Sequence, residues 1–105
     1  MKTTIISALS LTVGLIATGA QAATPDEIMT KSGCMACHAK DKKLVGPAFK
    51  DIAAKYKGQD ATAKLIEKVR KGGSGVFGPI PMSPNGPDKI SDDDLKSVVA
   101  AILKS

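Results

Sequence analysis

At 105 residues the chain has room for one small domain. A formal charge of +5, with the lysines scattered rather than bunched, is too mild for a nucleic-acid binder, though it suits docking onto an acidic protein patch. One tyrosine, two phenylalanines and no tryptophan give little with which to fill a core, and domains this small commonly rely on a disulfide, a metal or an apolar insert.

The chain opens with Lys2 and an apolar run from Ile5 to Ala20, followed by Ala20-Gln21-Ala22. A basic start, an apolar stretch and a small-residue cleavage site together predict a secretory signal over residues 1–22. The run falls short of the ~20 strongly apolar residues that span a bilayer comfortably, so stable membrane insertion is not expected. The expected mature domain covers residues 23–105, and its expected location is the periplasm.

Thr24-Pro25-Asp26-Glu27 reads as a helix start. Thr24 is the N-cap, Pro25 takes the first turn and Glu27 completes a capping box. That helix should stop near Gly33, directly before Cys34-Met35-Ala36-Cys37-His38. A lysine-rich loop, Lys40 to Gly46, leads to Pro47, where a second helix is predicted to about Lys57. Phe49, Ile52, Ala53 and Tyr56 form its apolar stripe. A third helix is predicted from about Asp60 to Lys71, with Leu65, Ile66 and Val69 inward, stopped by Gly72 and Gly73. The segment Gly72 to Lys89 is dense in glycine and proline, which excludes regular helix and a central strand and marks a functional loop. Ser91 then caps a last helix whose first turn holds Asp92, Asp93 and Asp94 at the positive end of the dipole. Leu95, Val98, Val99, Ile102 and Leu103 are its apolar stripe. The fold class is therefore all-α, with three or four short helices and one proline-rich loop.

Both cysteines and the single histidine lie within Cys34 to His38. C-x-x-C-H is the attachment pattern of c-type haem. Two thiols at this spacing can add to the two vinyl groups of one porphyrin, and the histidine after Cys37 supplies an axial imidazole. A covalently held porphyrin also provides the apolar centre that the aromatic count lacks. Three rivals fit less well. A thioredoxin-like pair belongs in a βαβ context, and no strand run is visible. Structural zinc needs four ligands, and Cys34, Cys37 and His38 make three. A lone structural disulfide is the third, and two cysteines allow a single short-loop bridge at most.

One histidine leaves a sixth iron position. No second histidine exists, Met1 leaves with the leader, Met29 falls on a core stripe and Met35 lies inside the attachment loop. Met82, among Pro79, Pro81 and Pro84, is the candidate, because fixed φ angles can hold its thioether in place. Its rival role is gap filling in the loop. A ligating histidine usually gives its second N–H to a carbonyl, and Pro47 offers one. Asn85 is a candidate donor to the methionine sulfur, or else a turn residue in Asn-Gly.

"GCMACHAKDKKLVGPAFKDIAAKY", "KGGSGVFGPIPMSPN" and the closing helix together resemble the short bacterial class I cytochromes c, monohaem periplasmic carriers of about this length. The resemblance covers nearly all of residues 23–105. It implies the small cytochrome c fold, four short helices wrapped around one covalently attached haem c. It also implies thioethers from Cys34 and Cys37, His38/Met82 axial ligation, a Pro47 carbonyl partner for His38 and an Asn85 contact near Met82. Lys68 falls where the family often has a basic residue near a haem propionate. Phe77 departs from the tryptophan that many members carry, and it cannot donate an indole N–H. "SPNGPDK" also differs from the usual continuation.

The expected function is soluble single-electron transport between redox proteins, with no substrate transformed and the protein a monomer. A quinol-oxidising complex upstream and a nitrite reductase, terminal oxidase or peroxidase downstream are compatible partners. Lys31, Lys40, Lys42, Lys43 and Lys50 are candidates to steer docking. The alternatives are a five-coordinate haem sensor or peroxidase-like protein, which needs Met82 off the iron, and a haem-free thiol–disulfide protein.

Overall fold

Two hydroxyl side chains start the helices that frame the molecule. In the computed structural model, which describes residues 12–16, 19 and 21–105, Thr24 Oγ1 accepts from the Glu27 backbone N–H at 3.2 Å. Helix α1, Pro25–Lys31, begins there, with Pro25 in the first turn, where a missing N–H costs no hydrogen bond. The expected leader, residues 1–22, lies largely outside the described residues. At the other end of the chain Ser91 Oγ accepts from Asp94 N–H, also at 3.2 Å, and opens helix α4, Asp92–Leu103. Three aspartates occupy its first turn, where the dipole favours them.

Between these helices lie a single 3₁₀ turn at Cys34–Ala36, helix α2 at Phe49–Lys55 and helix α3 at Thr62–Lys71. The second helix starts two residues later than the sequence predicts. Ala48 is extended (φ −63°, ψ 146°), while the N–H groups of Phe49 and Lys50 donate to Ala39 O and Lys40 O at 3.0 and 3.1 Å. Pairing with the preceding loop thus takes the first helical donors, and Pro47 remains outside the helix.

The glycine- and proline-rich segment also differs from expectation. It begins as an antiparallel hairpin, β1 at Gly73–Gly75 and β2 at Gly78–Met82. Gly73 pairs with Met82 and Gly75 with Gly78, with an irregular step between. Prolines are excluded from central strands because each such strand needs its N–H groups on both sides. A two-stranded ribbon has only edge strands, so Pro79 and Pro81 are tolerated. The fold is thus mostly helical with one small ribbon.

The core forms around α4, which packs against α1, α2 and α3. Leu95, Val98 and Val99 are its innermost side chains, at 1%, 2% and 0% exposure. Ile28 and Met29 of α1 and Phe49, Ile52 and Tyr56 of the α2 region close over them. Every residue of the expected α2 stripe is buried. Helix α3 is different. Leu65, Ile66 and Val69 reach the core only in part, and no residue of this helix is fully buried. An amphipathic helix left half-covered implies further apolar surface to be filled on its other flank.

Truncating Leu95 to Ala deletes fully buried methyl groups at the junction of the helices. It should lower unfolding free energy by about 2–5 kcal/mol, read from denaturant midpoints. Ser91→Ala removes only the cap and should cost about 1 kcal/mol.

Candidate functional site

The 3₁₀ turn is the first element of the site. Cys37 N–H and His38 N–H both donate to Cys34 O, at 3.2 and 3.0 Å. This tight loop brings Cys34, Cys37 and His38 onto the wall of one cavity of about 700 Å³. Neither cysteine is in a disulfide. Partial burial pushes the Cys34 thiol above its ordinary pKa, only partly opposed by a backbone hydrogen bond. A thiol–disulfide nucleophile needs the opposite shift. Among the described residues no group of three or more histidines, cysteines, aspartates or glutamates is placed to hold a metal ion, which leaves the zinc reading unsupported.

His38 is fixed from several sides. Its Nδ1 lies 2.7 Å from Pro47 O. A carbonyl only accepts, so Nδ1 is the donor of this bond, and Nε2 is the ring nitrogen left for another partner. Phe49 stacks on the imidazole, with ring centroids 5.3 Å apart and planes 20° from parallel. Gly46 donates its N–H to Cys37 O at 2.7 Å and lies flat against the ring. A Cβ at position 46 would fall 2.5 Å from His38 Cε1, a distance no side chain can occupy. Loop 40–46 therefore exists to bring Gly46 and Pro47 back beside the histidine, and an isolated bridge between His38 and Lys43 helps close it.

Met82, at the end of β2, is half-buried and lines the same cavity. Met29 is buried at 2% in the core, and Met35 packs against that core. Of the three methionines beyond the expected leader, Met82 alone lines the cavity. The backbone at Met82 is pressed onto the end of α3. A Cβ at Gly72 would meet Met82 O at 2.3 Å, so the close approach requires glycine.

The remaining candidates are placed as follows. Lys68 lines the cavity, with its Nζ beside Gly73, where an added Cβ would lie 3.4 Å away. Asn85 lines it too, but its Nδ2 donates to Ser83 O at 2.9 Å and lies 3.5 Å from Val69 O. The expected contact with the Met82 sulfur is not among its hydrogen bonds, because these nearby carbonyls take the amide. Phe77 lines the cavity at 39% exposure, with Lys55 Nζ 5.8 Å from its ring centroid. Of the five lysines suggested for docking, Lys43 borders the cavity, whereas Lys40 pairs with Asp26 at 2.7 Å. Sequence reasoning missed Lys64 and Lys71, which border the cavity with Lys68 from the same helix. Their helical spacing is the signal that could have found them. It also missed Arg70, whose guanidinium binds Asn85 O, Ile90 O and Asp92.

The cavity has the size and the apolar lining to take a large apolar group. Its volume lies in the range of cofactor sites. Val45, Val76, Phe77 and Ile80 line it, yet each is 39–57% exposed in the protein alone. Clustered exposed apolar side chains around one concavity mark a surface meant to be covered. Two thiols, one imidazole and one thioether are among the donors at that concavity, with the Glu67 carboxylate also on its lining. The residues present therefore fit a covalently attached haem.

Comparison with known proteins gives the same answer. The family described as Cytochrome c matches residues 22–105. The chain is 52% identical over 84 residues to cytochrome c2 of Rubrivivax gelatinosus, covering 79% of this chain and 99% of that protein. It is 44% identical over 104 residues to cytochrome c-551 of Pseudomonas aeruginosa, covering 98% and 97%. Among solved structures, the wild-type cytochrome c552 of Nitrosomonas europaea superposes with a TM-score of 0.69 at 46% identity, over 75% of this chain and 96% of that one. Its relatives are small electron-carrying cytochromes with one covalent c-type haem, and with its own CMACH turn, histidine lock and apolar cavity the chain belongs to the cytochrome c family.

Proposed function

We propose that the protein is a soluble periplasmic carrier of single electrons, with His38 Nε2 and Met82 Sδ as the axial ligands of its haem iron. The observation that supports this most directly is the pairing of a tautomer-locked imidazole and a lone methionine at one cavity that also holds Cys34 and Cys37. When bound, the haem supplies a one-electron ferrous/ferric couple. The chain does the rest. Sγ of Cys34 and Cys37 would hold the group through thioethers. The Pro47 carbonyl, accepting from Nδ1–H, makes the imidazole a stronger donor and stops it rotating. The soft thioether of Met82 favours the ferrous state and raises the potential.

Pro79, Pro81 and Pro84 fix φ around Met82, so little loop ordering is needed to seat the sulfur. The apolar walls exclude water and keep local rearrangement small when charge changes. Phe77 fills its wall without a polar N–H, so no indole hydrogen bond reaches a propionate, whereas Lys68 remains as a cationic partner for one. With His38 and Met82 both holding the iron, no position would be left open for a substrate, and the protein would transfer electrons without being an enzyme. Its partners are redox proteins, with a quinol-oxidising complex as donor and a nitrite reductase, terminal oxidase or peroxidase as acceptor. Lys43 and Lys64 at the cavity border favour an acidic docking face, in brief and salt-sensitive encounters, whereas Lys71 there is paired with Glu67 at 2.7 Å. Among the described residues no helix is long and apolar enough to cross a membrane, in keeping with a mobile carrier.

Replacing Met82 with Ala should abolish the weak long-wavelength absorption band of the ferric protein and lower the midpoint potential. Met82→His should restore six-coordination but leave the potential low. An unchanged band and potential in Met82→Ala, with fast carbon monoxide binding already present in the wild-type ferrous protein, would replace this reading with the five-coordinate one. Gly46→Ala forces the His38 ring to move and should reduce the yield of holoprotein by tenfold or more, measured by pyridine haemochrome. Electron transfer to an acidic partner should slow as ionic strength rises from 10 to 200 mM, by roughly tenfold if several lysines contribute.

A further inference from the structure

The chain between Met82 and α4 has little regular structure to hold it. Residues 83–89 form neither helix nor strand, and Pro84 and Pro87 have no N–H to donate. Within the stretch, Lys89 and Ile90 N–H both return to Gly86 O, at 3.0 and 3.2 Å, which closes a turn. At its far end Ser32 Oγ, just past α1, donates to Lys89 O at 3.2 Å, and Ile90 is buried in the core. Nearer Met82 the anchors come from the last turn of α3. Val69 O accepts from Asn85 N–H at 2.9 Å. The guanidinium of Arg70 joins the two ends. Its Nη1 donates to Asn85 O at 3.2 Å and to Ile90 O at 2.8 Å, and its Nη2 pairs with the Asp92 carboxylate.

We propose that Arg70 is a positioning residue for Met82, acting as the latch that holds the ligand loop closed over the haem. The inference rests on Met82 being the axial ligand. Arg70 is 18% exposed, whereas Asp92 is 80% exposed, so the ion pair is weakly screened from water on one side only. The two carbonyls are therefore the stronger part of the hold, since a largely buried charged donor bonding to carbonyls is worth more than a surface ion pair. They lie three and eight residues past Met82, and bracket the segment that must swing out for the sulfur to leave the iron. The geometry needs arginine. A planar fork reaches two carbonyls and a carboxylate at once, which a lysine ammonium on a flexible stem cannot do in fixed register. At the C-terminal end of α3 the positive charge also suits the helix dipole.

A latch of this kind sets how often the loop opens, and opening is what an incoming ligand must wait for. The apparent affinity of the ferric protein for an added neutral ligand is its intrinsic affinity scaled by the open fraction. Imidazole is the suitable probe. At pH 8 and above it is mostly uncharged, and the titration is run there, so removing a distant positive charge does not change its binding directly, whereas the midpoint potential would respond to that charge alone.

The test measures imidazole binding to ferric holoprotein of wild type, Arg70→Gln, Arg70→Lys and Met82→Ala, at a temperature where far-ultraviolet circular dichroism shows each folded. Arg70→Gln should bind imidazole about tenfold more tightly than wild type, equivalent to about 1.4 kcal/mol, with a weakened long-wavelength band. Arg70→Lys keeps the charge but not the fork, and should fall between the two. It also serves alone if Arg70→Gln does not fold. Wild-type affinity in Arg70→Lys, together with an unaltered band, would overturn the latch even if both variants are less stable towards denaturant. Met82→Ala should bind imidazole most tightly of all. If it binds no better than wild type, the ligand reading fails. If Met82→Ala behaves as expected and the Arg70 variants match wild type, only the latch fails.

Discussion

The hydrogen bond from His38 Nδ1 to Pro47 O, 2.7 Å long, is the constraint around which the site is arranged. It decides which ring nitrogen is protonated, and so which one can ligate. It requires that loop 40–46 double back, which places Gly46 against the imidazole and leaves no room there for any side chain. It keeps Pro47 out of α2, because its carbonyl faces the histidine rather than starting a helix. Phe49, at the first position of α2, then stacks on the other part of the ring, and in the same residue the site joins the core. One contact thus links the metal-binding end of the molecule to the helix that packs on α4.

The second constraint is a shortage of apolar volume. Three aromatic residues cannot fill a domain of this size, and the structure shows where the filling stops. Helices α1, α2 and α4 bury their stripes against one another. Helix α3 and the hairpin turn their remaining apolar side chains toward the cavity, where Val45, Val76, Phe77 and Ile80 remain exposed in the protein alone. A haem seated there would complete the core, and folding and loading would then be coupled through the same surface. Thioethers at Cys34 and Cys37, as proposed, would suit that arrangement, because a cleft open at its edge cannot retain a large planar group by enclosure alone.

The methionine side of the site is built on different principles from the histidine side. His38 is fixed by short contacts within a dozen residues. Met82 is carried on a proline-stiffened ribbon whose attachment to the rest of the protein comes from α3, through the glycine contact at Gly72 and the hydrogen bonds of Val69 and Arg70. If His38 and Met82 both hold the iron, as proposed, a rigid imidazole and a thioether on an anchored strap would suit a carrier that passes between two oxidation states with little rearrangement.

Local rules were readable from the sequence by itself. The caps at Thr24 and Ser91, the stripes of α2 and α4, the CMACH turn, the burial of Met29 in the core and the Pro47 carbonyl each depend on residues a few positions apart or on simple chemistry of donors. The hairpin was not readable, because whether a proline-bearing stretch is an edge or a centre depends on how many strands stand beside it. Asn85 turned to Ser83 O rather than toward the methionine, a choice made by which carbonyls lie nearest in space. The lysines of α3 at the cavity and the grip of Arg70 on residues 85–92 also waited on the fold, since those contacts join positions 15 to 22 residues apart. Spacing along a chain fixes which atoms can act together within one turn or loop. Only the packing of α3 against the returning segment decides which of its charged groups border the cavity and which bind residues 85–92.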